Sequence, residues 1–263
     1  MRTDDRHKYI LNIARTEGFI SISKAAVHLN VSIETVRRDI NQLSADGQLK
    51  KTRGGATPVK QPFRKDADYV RRLQLNQQEK FAIGAEAATL IRSGSIVALD
   101  CGVSIQTMAK CISGVENVTF VTNSIRVAGI LLDKIDNGEI NGRAILIGGE
   151  MDNENRFAKG AEAINSLKQY HFDLAFVSCT AASTSGVSSY SLDESNFSAQ
   201  MIANSARSVL VAESVKLGKN SVKLFAELNE FERIITDDRN PIPTDIEAVL
   251  RNIKTKLIIV NCT

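Results

Sequence analysis

With 263 residues, 43% of them hydrophobic, the chain is long enough for two domains and apolar enough to bury a sizeable core, which excludes wholesale disorder. Its longest apolar runs, such as those at 144–147 and 257–260, are far too short to span a bilayer, and its first residues, Met1-Arg2-Thr3-Asp4-Asp5-Arg6, show no secretory signal, so a cytoplasmic protein without a membrane partner is expected. The net charge of +3 conceals an asymmetry: residues 1–72 carry 15 Lys and Arg against 8 Asp and Glu, and residues 73–263 carry 18 against 22, so a small basic head, of the kind that meets phosphates, precedes a mildly acidic body.

Tyr9, Ile10, Ile13 and Ala14 recur at helical spacing over residues 4–17, and Gly18 closes that helix. Ser21 can cap a second helix over 22–29 that buries Ala25, Ala26 and Leu29. Asn30 and Val31 form a tight turn, and Ser32 caps a third helix over 33–45, closed by Asp46-Gly47. At about 100° per residue, Val36, Ile40 and Leu43 share an inward face. Glu34, Arg38 and Asn41 then point outward, flanked by Thr35 and Arg37. Such a helix offers Ser32, Thr35, Arg37 and Arg38 as donors to phosphates and base edges, and two short helices joined by a tight turn are the helix-turn-helix arrangement. Residues 48–52 read as a strand and Arg53-Gly54-Gly55-Ala56 as a hairpin tip, a basic wing able to approach a duplex.

Residues 58–76 hold Pro58, Pro62 and the run Arg64-Lys65-Asp66-Ala67-Asp68, which is linker composition between domains at 1–57 and 77–263. A helix follows over 79–91, with Phe81, Ala82, Ala85, Ala87 and Ala88 to pack. Apolar strands are predicted at 95–99, 118–121, 144–147, 174–178, 209–212, 234–235 and 257–260, separated in part by helices over 124–132 and 197–206. This alternation predicts an α/β domain with a mostly parallel sheet covered on both faces. Ligands bind such sheets beyond the carboxyl ends of the strands. Those ends carry Asp100-Cys101-Gly102-Val103-Ser104, Thr122-Asn123-Ser124, Gly148-Gly149 and Glu213-Ser214-Val215-Lys216. Gly102 and Ser104, opening a helix, can offer backbone N–H groups and a hydroxyl to an anion, and Lys216 can neutralise one. No dinucleotide or Walker-type glycine loop is present.

The run Val31-Ser32-Ile33-Glu34-Thr35-Val36-Arg37-Arg38-Asp39-Ile40, followed by Gly47-Gln48-Leu49 and Arg53-Gly54-Gly55-Ala56, resembles the DNA-binding signature of the DeoR family of bacterial repressors, with Arg53 where the family usually has histidine. The resemblance implies DNA contacts at Ser32, Thr35, Arg37, Arg38, Arg53 and Gly54, and a structural role for Asp39 beside an arginine. It extends through Leu99-Asp100, Gly102, Thr122-Asn123-Ser124, Gly148-Gly149, Gly160, Glu194 and Lys216. It implies a sensor domain similar in fold to sugar-phosphate isomerases, with a phosphorylated sugar or related metabolite as effector. Effector-binding residues would then be Asp100, Gly102, Ser104, Thr122, Asn123, Gly148, Gly149, Glu194 and Lys216. The partners implied are a double-stranded DNA operator and further copies of the chain. The family's Gly-Thr-Thr is Gly102-Val103-Ser104 here, a lysine is replaced by Ser198, and an Asp-His-Ser-Lys run is Glu213-Ser214-Val215-Lys216. Losing a hydroxyl and a cation predicts a weakened phosphate preference.

Three other functions compete. A sugar-phosphate isomerase carrying a DNA-binding head would need a carboxylate base, for which Asp100, Glu150 and Glu194 are available, yet the one histidine of this region, His171, precedes a strand rather than following one. A redox sensor would use Cys101 and Cys179, but the four cysteines lie far apart, without the spacing of a zinc site or a paired thiol motif. The winged helix could also bind protein instead of DNA. A non-catalytic regulator without metal or cofactor is the expectation.

Overall fold

A computed structural model describes residues 3–58 and 65–262; the chain divides into two compact units, Met1–Arg71 and Arg72–Thr263. The first unit opens with α1 (Thr3–Glu17), β1 (Ile20–Ser21), α2 (Ile22–Leu29) and α3 (Ile33–Ala45), then β2 (Leu49–Thr52) and β3 (Gly55–Pro58). Ser21 accepts the backbone N–H of Lys24 to start α2, and Asn30 ends it in the left-handed region at φ 51°, a conformation that asparagine tolerates. Ser32 accepts the Thr35 N–H at 3.1 Å to start α3. Ile10, Ala14, Ala25, Leu29, Val36, Ile40 and Leu43 close over Leu49 and Ala56 as one core. The strands form an antiparallel sheet in the order β1-β3-β2, with Arg53 and Gly54 at the turn between Thr52 and Gly55. Gly54 sits at φ 84°, which disfavours any side chain there.

The segment expected as linker is in part helical, forming α4 (Lys65–Gln74); Pro62 and Arg64 lie outside the described residues. Composition concealed this helix. Arg71 and Arg72 near its end suit the helix dipole, which favours bases in the last turn.

The second unit runs α5 (Gln77–Ala88), β4 (Ile96–Leu99), α6 (Val103–Cys111), β5 (Val118–Thr122), α7 (Ile125–Asp136) and β6 (Gly142–Leu146). It continues with β7 (Glu150–Asp152), β8 (Phe157–Lys159), α8 (Gly160–Leu167), β9 (Leu174–Ser178), β10 (Ala181–Ser183), β11 (Gly186–Ser189) and α9 (Leu192–Ala203). Last come β12 (Ser208–Val211), β13 (Lys223–Ala226), β14 (Arg233–Asp237), α10 (Thr244–Arg251) and β15 (Lys256–Val260). Seven strands make one parallel sheet in the order β15-β14-β12-β9-β4-β5-β6. Alternate residues of each strand face opposite layers. Val97, Leu99 and Phe176 pack with Ile83, Met108 and Leu131 of α5, α6 and α7. Ala98, Val177 and Leu210 pack with Leu167, Phe197 and Leu250 of α8, α9 and α10. All seven strands coincide with the predicted apolar runs; the inner strands are apolar because both faces are covered, whereas the edge strands β6 and β15 leave Leu146 and Ile259 exposed.

Two smaller sheets, β7-β8 and β10-β11-β13, were not expected from the sequence. The apolar stripe assigned to α5 needs correction as well. Phe81 is exposed and Ala82, Ala85 and Ala88 are half-buried; of the expected stripe Ala87 is fully buried, beside Lys80, Ile83 and Gly84. Among the described residues no helix is long and apolar enough to cross a membrane.

Candidate nucleic-acid interface and effector crevice

The exposed side of α3 carries Ile33, Glu34, Arg37, Arg38 and Asn41, and its buried side Val36, Asp39, Ile40 and Leu43. Ser32 and Thr35 share a hydroxyl–hydroxyl bond of 2.8 Å at its start. Arg37 donates to Glu34 at 3.3 Å across one exposed turn, while Arg38 has no acidic partner among the described residues. Arg53 and Gly54 are exposed at the wing. Asp39 pairs with an arginine, but not with either neighbour on α3. Arg6 of α1 grips both its oxygens, at 2.8 and 3.0 Å, and His7 lies 3.3 Å away. Burial opposes the charge of Asp39, and the hydrogen bonds and charge of Arg6 outweigh it and hold the carboxyl below its usual range. The pair locks α1 onto α3 and leaves Arg37 and Arg38 free of Asp39.

In the second unit the chain leaves β4 toward β5 and β6, then returns to β9 on the other side. The crevice where such a sheet reverses direction is the usual ligand site, and here it opens between the carboxyl ends of β4 and β9. Asp100 bridges it. Its oxygens accept the N–H of Cys101 at 2.7 Å, the N–H and hydroxyl of Ser178 at 3.0 and 3.1 Å, and the Ser198 hydroxyl at 3.5 Å. Burial raises the Asp100 pKa, and the bonds from Ser178 and Cys101 only partly offset this. Gly102 opens α6 close by; a Cβ there would lie 2.0 Å from the Ser178 hydroxyl oxygen, so a side chain would displace the hydroxyl that donates to Asp100. Glu194 on α9 accepts the Ser189 hydroxyl at 3.1 Å. Burial, and then the charge of Asp100, push its pKa up to about 7.

On the opposite face, at the end of β12, Glu213 takes Lys80 at 3.1 Å, Lys216 at 2.7 Å and the Ser104 hydroxyl at 3.2 Å. Burial opposes its ionisation, but Lys216 and Lys80 bring its pKa down to about 2. Burial also works against the charge of Lys216, and Glu213 overrides it. The expected free donors are therefore already engaged. Ser104 and Lys216 face an internal carboxylate, and two lysines against one carboxylate leave a surplus of one positive charge.

Thr122 accepts the Ser124 N–H at 3.1 Å and so closes its own turn. Asn123 donates to the Ala158 carbonyl at 2.9 Å, and its side-chain oxygen, fully buried, has no partner among the described residues. Gly148 and Gly149 lie in the exposed turn between β6 and β7. The structure thus links Asp100, Gly102, Ser104, Glu194 and Lys216 around the β4, β9 and β12 ends, sets Thr122 and Asn123 at the adjoining β5 end, and leaves Gly148 and Gly149 one strand further out. Sequence reasoning missed Lys80, Ser178 and Ser189. Lys80 carried a signal, since with Ile83, Gly84 and Ala87 it follows the i, i+3, i+4, i+7 spacing of a buried helix face.

Cys101 and Cys179 are buried. Burial raises both thiols, together with Asp100 for Cys101, which rises well above the ordinary value, and Cys179 reaches about 12; thiols so protonated make poor redox sensors. His171 precedes β9, at the amino end of that central strand, whereas the crevice lies at the carboxyl ends. A cleft of about 370 Å³ between α9 and β13, lined by Ser195, Asn196, Lys223 and Phe225 among others, holds none of the residues singled out from the sequence.

Residues 6–61 match the family described as DeoR-like helix-turn-helix domain, and residues 75–238 that described as DeoR C terminal sensor domain. The HTH-type transcriptional repressor GlcR of Bacillus subtilis is 33% identical over 90% of this chain and 89% of its own length. The glycerol-3-phosphate regulon repressor of Escherichia coli is 26% identical over 95% of this chain and 96% of its own. A ribose 5-phosphate isomerase A from Methanocaldococcus jannaschii covers 54% of this chain and 55% of its own at 14% identity and a TM-score of 0.37, a likeness too slight to bear on function.

Proposed function

Because the chain belongs to the DeoR family of helix-turn-helix regulators, we propose that it is a sequence-specific transcriptional repressor of a carbohydrate operon, released or engaged by a small phosphorylated metabolite. The observation that carries the DNA-binding half is α3, whose apolar and Asp39 face is buried while Arg37 and Arg38 stand exposed beside the Ser32–Thr35 start. In the proposed complex Ser32, Thr35, Arg37 and Arg38 meet the major groove and its phosphates, and Arg53 and Gly54 approach the backbone from the wing. Paired half-sites would be met by a homo-oligomer of this cytoplasmic protein.

The effector half rests on the crevice. The surplus positive charge of Lys80 and Lys216 over Glu213 favours an anionic group, Glu194 and the Asn123 side-chain oxygen accept from hydroxyls, and Asp100, already holding Cys101, Ser178 and Ser198, fixes the wall between them. Gly102, Ser104, Thr122, Gly148 and Gly149 shape the walls. Lys80, which the sequence had not singled out, offsets the cation lost at Ser198. A phosphorylated polyol presents both chemistries. GlcR and the glycerol-3-phosphate regulon repressor are named as regulators, which favours regulation over turnover by this fold. The test is DNA affinity of the full chain, measured with a panel of sugars and sugar phosphates. A phosphorylated compound should shift affinity at least tenfold, and its unphosphorylated parent should not. Equal effects of the two would reject the phosphate, and no effect of any compound would reject the effector class.

A further inference from the structure

Glu34 and Arg37 stand one turn apart on the exposed side of α3, with side chains 71% and 59% exposed and a 3.3 Å contact between them. An ion pair so open to solvent contributes little to stability, and a carboxylate on a face that meets phosphates is repelled by them. At about 100° per residue Glu34 lies nearly opposite Val36, in the middle of that face. The other carboxylate of α3, Asp39, is turned inward onto Arg6. Glu34 is thus the acidic partner of Arg37, and its structural task is the modest one of an acid in the first turn of a helix.

The two side chains together show a hydrogen-bond acceptor beside a fork of donors. The major-groove edge of a C·G pair shows the complement, with the cytosine N4 amino group as donor beside the guanine O6 and N7 acceptors. We propose that Glu34 and Arg37 read one C·G base pair jointly, Glu34 accepting from cytosine N4 and Arg37 donating to guanine O6 and N7. This rests on α3 being the DNA-reading helix. Arg38, without an acidic partner among the described residues, is left for phosphate. The carboxylate that would otherwise weaken binding becomes the group that rejects thymine and guanine in the cytosine's place, since thymine O4 and guanine O6 are acceptors and would face it unpaired, while an adenine there brings a thymine that offers Arg37 one acceptor instead of two.

The test selects duplexes randomised across a half-site with the full-length wild type, Glu34→Ala, Glu34→Gln, Arg37→Ala and the double alanine variant. Both side chains are exposed, so all variants should fold. The wild type should require C·G at one position, by roughly 5- to 100-fold over other pairs. Glu34→Ala and Arg37→Ala should each lose that preference at the same position and leave the others intact, and the double variant should lose no more. Glu34→Gln should move the preference toward A·T, because a carboxamide pairs with adenine N6 and N7. Relaxation at two different positions, or a Glu34→Ala variant that binds every sequence more tightly by the same factor, would overturn the joint reading. A wild type that enriches no sequence at all would overturn DNA reading by α3 and this assignment with it, a result distinguishable from both of those.

Discussion

Replacing Glu213 by Gln would remove one charge and almost no volume from the end of β12, leaving Lys80 and Lys216 without their shared anion. Lys80 and Glu213 are only 5% and 4% exposed in their side chains, so water can do little to screen the loss. The Glu213 pKa falls from 4.5 to about 2, which corresponds to roughly 3 kcal/mol favouring the ionised form in the folded state. Removing one partner of a buried ion pair costs about 3–5 kcal/mol by analogy with other proteins, so two independent arguments agree. The sign follows from a depressed folded pKa: the stabilisation is complete above about 4.5 and is lost as pH falls toward about 2. Urea unfolding of the full chain, followed by far-ultraviolet circular dichroism, should show Glu213→Gln about 3 kcal/mol less stable near neutral pH. The gap should narrow as the medium is acidified below about pH 4. A variant within about 1 kcal/mol of wild type at neutral pH, or a gap indifferent to pH, would refute the reasoning.

Glu194 has the opposite sign. Its pKa is raised to about 7, so the stability linked to its protonated form is complete below about 4.5 and is lost as pH rises through about 7. Wild type should lose on the order of 3 kcal/mol across that window, and Glu194→Gln should flatten the profile of thermal midpoint against pH; parallel profiles would contradict this. Arg6→Ala should leave the buried Asp39 with only His7 beside it, 3.3 Å away, and destabilise the first unit. Amide hydrogen exchange in α1 and α3 would rise sharply, and unchanged protection would show that the pair is not what joins these helices.

Much of this was legible along the chain. The bounds of α2 and α3 follow from Ser21 and Ser32 as caps and from the spacing of Ala25 and Leu29 or of Val36, Ile40 and Leu43. The central sheet was visible because strands covered on both faces must be apolar throughout. What escaped was nonlocal or too short. β1 is two residues long, and β10 and β11 are built from Ala, Ser, Gly and Val with no alternation to detect. The Asp39–Arg6 pair spans thirty-three positions, so nothing local announces it. At the crevice, residue types pointed to the right strand ends but not to their pairing. Lys216 and Ser104 read as donors awaiting an anion, whereas Glu213, in the same quoted run, already occupies both.

The most direct test is a titration of the full chain against its own upstream DNA at several salt concentrations, for wild type and Arg38→Ala. The account predicts tight, sequence-selective, salt-sensitive binding by the wild type. The variant should bind about 10- to 100-fold more weakly, with its salt slope reduced by about one if Arg38 meets a phosphate. Binding that is weak, indifferent to sequence and unchanged by Arg38→Ala would contradict it.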